Sequence, residues 1–149
     1  MSQISLAEFA DKINEIFPVV IKEFLKRQTN ELCRGKITMP QFIILNFLER
    51  QGESRMTDLA KFMSVTTAAM TGLIDRLVRD GYVERVEDPD DRRIIKVRAT
   101  AKGSALVRKI NLQKRQMIID IFGRLTQRDR EEYLRIIMRV RDVLTNQKA

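Results

Sequence analysis

The sequence predicts a mainly α-helical fold with a small β component (α+β), and three observations carry that prediction. Between Thr57 and Asp80, two helical patterns follow one another across a break at Ser64-Val65. After Gly81, two strand-like runs flank an Asp88-Pro89-Asp90-Asp91 turn. Long amphipathic helical patterns stand before and after this stretch. Two helices across a sharp turn, followed by a basic hairpin, form the layout of a winged helix-turn-helix, a shape that grips duplex DNA.

Ser5-Leu6-Ala7-Glu8 reads as a capping box opening the first helix. Leu6, Phe9, Ile13, Ile16, Val20 and Phe24 continue it at spacings of three and four to near Cys33. Pro18 is expected to bend this helix, because it removes a hydrogen bond and crowds the carbonyl of Asn14; Gly35 is expected to end it. Thr38-Met39-Pro40-Gln41 is a second capping box, with proline in the first turn where its missing N–H costs nothing. The helix from Gln41 to Arg50 is apolar at Phe42, Ile43, Ile44, Leu45, Phe47 and Leu48, so it is buried on more than one side. Arg55-Met56 offers a short strand beside the hairpin.

Thr57 is the expected N-cap of the next helix, which turns Leu59, Ala60 and Met63 inward. Thr66 is the expected cap of the one after it, running to about Asp80. Met70, Leu73, Ile74 and Leu77 form its buried stripe, leaving Thr67, Ala68, Thr71, Gly72 and Arg76 outward. At ~1.5 Å per residue this helix is roughly 22 Å long, enough to lie in a major groove ~12 Å wide. In the hairpin, Ile95, Val97 and Ala99 alternate with Lys96 and Arg98, the period of a half-buried strand. Arg92 and Arg93 fall at its tip, where a guanidinium can enter a narrow minor groove. Thr100 or Gly103 opens a long helix to about Phe122, with Leu106, Val107, Ile110, Met117, Ile118, Ile121 and Phe122 inward. Thr126 with Asp129 caps a last helix carrying Tyr133, Leu134, Ile137, Val140 and Leu144.

Composition narrows the function classes. The chain has 149 residues, 44% hydrophobic and 32% charged, which suits one globular domain with a core. No apolar run approaches the ~20 residues of a membrane span, and the first residues lack a signal-peptide pattern. A single cysteine excludes an internal disulfide, so a cytoplasmic location is expected. There is no histidine, which removes the commonest general base and any nitrogen-sulfur zinc cluster. Without a Gly-rich phosphate loop or a serine elbow, no catalytic residue, metal or cofactor is expected, and the chain reads as a non-enzyme.

The formal net charge of +8 suits a polyanionic partner. Its distribution is uneven: residues 50–98 carry ten Lys/Arg against nine Asp/Glu, while residues 99–149 carry twelve against five. The DNA-binding stretch is therefore basic only locally, at Arg92, Arg93, Lys96 and Arg98.

The run Asp91-Arg92-Arg93-Ile94-Ile95-Lys96-Val97-Arg98-Ala99-Thr100-Ala101-Lys102-Gly103 resembles the wing signature of the MarR family of transcription regulators. Leu73-Ile74-Asp75-Arg76-Leu77 followed by Gly81-Tyr82-Val83 is similar to that family's recognition helix and its exit. Two positions depart from the pattern: Ala99 stands where leucine is usual, and Gly72 where a basic or polar residue is frequent. The resemblance implies one domain over residues 1–149. Residues 38–100 form its winged-helix DNA-binding lobe, and 1–35 and 103–149 supply dimerisation helices.

The expected function is sequence-specific binding of double-stranded DNA by a homodimer on a pseudo-palindromic operator, acting as a repressor. Thr66, Thr67, Ala68 and Thr71 would face bases, Arg76 the phosphate backbone or the wing, and Arg92 and Arg93 the flanking minor groove. Asp91 would pair with Arg76 or Arg93 to hold the wing tip. By resemblance, a small anionic aromatic or phenolic effector would release the DNA, in a pocket lined by Phe9, Ile13, Phe17, Phe42 and Leu45. The alternatives are a ligand-independent activator or anti-silencer of the same fold, a redox sensor using Cys33, and a winged helix that binds protein instead of DNA. Arg92 and Arg93 speak against the last.

Overall fold

The computed structural model describes residues 4–27 and 35–146. Helix α1 spans Leu6–Lys26, α2 Met39–Gln51, α3 Met56–Met63, α4 Thr67–Arg79, α5 Ala101–Phe122 and α6 Gln127–Asn146. Strands β1 (Ser54–Arg55), β2 (Val83–Glu87) and β3 (Ile95–Ala99) form one antiparallel sheet in the order β1-β3-β2. This is the winged helix-turn-helix between long helices, with Arg55 indeed in a short strand, paired opposite Lys96.

Both capping boxes form. Ser5 Oγ accepts from the Glu8 amide at 3.2 Å while the Glu8 carboxylate accepts from the Ser5 amide at 2.8 Å. Thr38 and Gln41 repeat the exchange at the start of α2. Pro18 is accommodated inside one continuous 21-residue α1. The expected extension of α1 to Cys33 lies outside the described residues.

The chain divides into two compact units, residues 1–112 and 113–149. The first owns the core. Ile37, Phe42, Ile44, Leu45 and Leu48 meet Leu59 and Ala60 of α3, Met70, Ile74 and Leu77 of α4, Val83 and Val97 of the wing, and Val107 and Ile110 of α5. Removing these side chains from water is the main force holding α4 and the wing to one support. In the second unit, Thr126 Oγ1 accepts from the Asp129 amide at 3.1 Å, and the rings of Phe122 and Tyr133 lie 5.1 Å apart.

Two expected boundaries shift. Thr57 does not cap α3; Arg55 is its N-cap residue, extended at φ −71° and ψ 148°, with no side-chain cap bond. Strand pairing of Arg55 with Lys96 holds that extended backbone, so the helix starts where the pairing stops. Thr100, and not Gly103, opens α5: its Oγ1 accepts from the Gly103 amide at 3.2 Å and donates to the Gly81 carbonyl at 2.6 Å.

Candidate nucleic-acid interface

The turn before α4 is tight because Ser64 adopts the left-handed conformation, φ 53° and ψ 42°, an uncommon state outside glycine. Its amide donates to the Lys61 carbonyl at 3.1 Å, closing α3. Thr66 then caps α4, its Oγ1 accepting from the Ala69 amide at 3.1 Å. That leaves the Thr66 hydroxyl proton available as a donor. Thr71 is committed in the opposite sense: its hydroxyl donates to the Thr67 carbonyl at 2.9 Å, so it offers outward only lone pairs and a methyl group.

Met70, Ile74 and Leu77 turn inward and are fully buried. Thr66, Thr67, Ala68, Thr71, Gly72 and Arg76 are all exposed, as are Arg92 and Arg93 at the wing tip. Arg76, Arg92 and Arg93 have no carboxylate partner among the described residues, so their charge is free for a polyanion.

Between α4 and the wing lies a cleft of about 450 Å3. Thr67, Thr71 and Arg93 line it together with Arg55 and Arg85, neither of which the sequence reading placed at the DNA. Arg85 is ion-paired with Asp75 of α4, tying the helix to strand β2. The sequence holds these two ten residues apart, and only the return of the wing against α4 brings them together.

The wing tip is organised differently from the expectation. Asp91 does not pair with the Arg76 or Arg93 side chain; its Oδ1 accepts from the Arg93 backbone amide at 2.9 Å. The organising carboxylate is Asp88. Its Oδ1 accepts from the amides of Asp90 at 2.9 Å and Asp91 at 3.3 Å, and its Oδ2 meets Lys96 Nζ at 3.0 Å. The Asp90 amide and then the Lys96 ammonium hold the Asp88 carboxyl below the usual aspartate range, and Asp88 in turn raises Lys96. Arg98 is likewise committed, to Glu84 directly across the hairpin at 2.6 Å, which raises its already high pKa. Half of the locally basic run therefore braces the wing, and Arg92 and Arg93 alone of the four project without a counter-charge.

The residues expected to line an effector pocket divide. Phe9, Ile13 and Phe17 stand exposed along α1, whereas Phe42 and Leu45 are sealed in the core. Cys33 lies outside the described residues. No helix among the described residues is long and apolar enough to cross a membrane.

The sequence model of the MarR family matches residues 37–95, from just before α2 to the start of β3. The multiple antibiotic resistance protein MarR of Escherichia coli is 34% identical over 103 residues, covering 65% of this chain and 72% of that one. A MepR-like protein crystallised with pseudoligands is 34% identical, covers 90% of this chain and 94% of its own, and superposes with a TM-score of 0.59. A MarR family protein from Bacillus stearothermophilus reaches a TM-score of 0.81 over 95% of this chain and 99% of its own at 19% identity, a likeness of fold.

Proposed function

This chain belongs to the MarR family of DNA-binding transcription regulators, and from that premise we propose that it represses transcription by occupying a pseudo-palindromic duplex operator as a homodimer. The observation that carries the reading is the cleft that joins Thr67 and Thr71 of α4 to Arg93 of the wing, with Arg76 of α4 and Arg92 of the wing tip exposed and uncommitted outside it. Threonines at the helix N-terminus meet base edges: Thr66 as a donor, Thr71 through its methyl and lone pairs, and Ala68 by apolar contact with a thymine methyl. Arg76 holds phosphate, and Arg92 and Arg93 reach the adjoining minor groove, where a narrow groove concentrates negative potential.

Residues 38–100 serve as the DNA-binding lobe, with 1–35 and 103–149 as dimerisation helices. In support, neither α1 nor α6 buries a single residue within the chain, although both carry an apolar face. Two lobes related by a two-fold axis present their α4 helices about 34 Å apart, one turn of duplex. A small anionic aromatic effector is retained as the release signal. Phe9, Ile13 and Phe17 are accessible to it, while Phe42 and Leu45 could line its site only if the core opens.

The test is a gel shift against the duplex upstream of the protein's own coding region, with unrelated competitor DNA. A shift that survives the competitor and weakens linearly in log affinity against log salt is expected. Arg93→Ala should weaken it by roughly 1–3 kcal/mol if the guanidinium enters a groove. Wild-type affinity in that variant would remove the wing from the interface, and a band lost equally to any competitor would remove sequence specificity.

A further inference from the structure

Gly72 stands in the middle of α4, and nothing among the described residues asks for a glycine there. Its backbone is not in the left-handed region, and a Cβ built on it would meet no atom within 4 Å. Gly81, by contrast, has φ +78°, and a Cβ on Gly103 would strike a carbonyl. Glycine inside an exposed helix is unfavourable against alanine, because it loses more backbone freedom on folding and packs nothing in return. A residue that the chain's own structure penalises and does not need is explained by something that approaches from outside.

The position on the helix says what approaches. At about 100° per residue, with Met70, Ile74 and Leu77 marking the inward direction, Gly72 and Ala68 fall close to the opposite pole. Thr71 lies to the wing side of that pole, in the cleft, and Arg76 to the other. The outward ridge is thus bare at its summit over the first two turns, at Ala68 and Gly72, with the exposed Arg79 on the same line at the C-terminal end of α4 and polar residues on both flanks. A helix with full side chains is roughly 10–12 Å across, about the ~12 Å width of the major groove, while its backbone cylinder has a radius of only ~2.3 Å. A bare summit lets the α4 backbone descend toward the base edges, while the Arg76 guanidinium on one flank meets the phosphate wall and Thr71 on the other turns its methyl group and lone pairs to the bases.

We infer that Gly72 is the point of closest approach between α4 and the operator, and that its missing side chain sets how deeply the helix is seated and so which bases it accepts. This rests on the DNA-binding reading given above and deepens it. No hydrogen bond is assigned to Gly72; the selectivity is steric, exercised through the reach of Thr66, Thr67 and Thr71 when the helix is fully down. A methyl group at the summit holds the helix out, and those neighbouring contacts are lost together.

The experiment pairs two readouts of opposite sign. Full-length wild-type protein is used to enrich a duplex from a random pool. Gly72→Ala is then compared with wild type for thermal midpoint, for affinity to that duplex and for affinity to an unrelated duplex, at one salt concentration. The expected result is a raised thermal midpoint, at least roughly tenfold weaker binding to the enriched duplex, and unrelated-duplex affinity within about twofold, since phosphate contacts carry the non-specific part. Retention of enriched-duplex affinity by Gly72→Ala overturns the inference while leaving the DNA-binding reading intact. A lowered thermal midpoint overturns it too, because the fold would then need the glycine. Failure of the wild type to enrich any duplex overturns the DNA-binding reading itself.

Discussion

Gly103 tolerates no larger side chain, although its backbone is ordinary helix. A Cβ there would lie 2.0 Å from the Tyr82 carbonyl oxygen and 3.2 Å from Leu45 Cδ2. The neighbour is backbone, held by the Thr100 amide at 3.0 Å, so it cannot swing aside. Gly103→Ala should therefore destabilise the protein by about 1–3 kcal/mol, the usual cost of forcing atoms into a packed site. Thermal unfolding measures this directly, and a midpoint unchanged within a degree would contradict it. The sequence placed Gly103 at the entrance of α5 but could not reveal its role, because the crowding comes from Tyr82, twenty-one residues earlier. Lys102 shows the same limit. It caps the end of α4 by donating to the Asp80 carbonyl at 2.7 Å, and its ammonium lies 4.8 Å from the Tyr82 ring centre. Nothing in local periodicity marks that contact. Capping residues were legible where donor and acceptor sit within one helical turn, as at Ser5, Thr38, Thr66 and Thr126. Thr57 misled because strand pairing two residues earlier decided where α3 begins.

At the scale of the element, the wing is held by charge pairs that cross it. Asp88 gathers two amides and one ammonium, and so fixes the backbone from which Arg92 and Arg93 project. Because the Asp88 pKa is lowered on folding, its contribution is present above the ordinary aspartate value of about 3.9 and is lost as pH falls through the lowered value. Because the Lys96 pKa is raised, its contribution is present below about 10.4 and is lost as pH rises through the raised value. Operator affinity at fixed salt should thus be level from about pH 5 to 9, between those two ordinary values. Asp88→Asn keeps an acceptor for the two amides and loses the ion pair, whereas Asp88→Ala loses both. The alanine variant should bind DNA more weakly than the asparagine variant, with the fold intact in each. Equal affinity in both variants and wild type would show that the wing tip needs no such brace. The hairpin itself was legible from its turn and its period of two. The pairing was not, since the sequence offered Asp91 as the obvious neighbour of two arginines, and the three-dimensional turn gave that carboxylate an amide instead.

Across the whole molecule, the apolar stripes read from periodicity divide by where they end up. Most of the stripes of α2 and α4, and the first part of that of α5, became core, which is why the fold was readable; Ile43 of α2 stayed exposed, and Phe47 and Leu73 pack against the core half-buried. The stripes of α1 and α6 remained in water: Phe9 is 50% exposed, and Ile137 and Val140 are 44% each. Periodicity reports that a face wants cover and is silent about which chain supplies it. Rows of half-exposed aliphatics this long are beyond what scattered surface apolars explain, and they mark an interaction surface. Replacing Ile137 and Val140 together with glutamate tests the proposed dimer without opening the core, since neither residue belongs to it. Sedimentation should give twice the chain mass for wild type and a monomer for the double variant, with helical content unchanged. Operator affinity should then fall by on the order of 10²–10⁴, because each half-site loses the effective concentration supplied by its twin. Affinity for an unrelated duplex should change far less, as each lobe keeps its own arginines. A wild-type monomer in solution would overturn the two-fold reading. A monomeric variant that still held the operator tightly would mean that one α4 and one wing suffice.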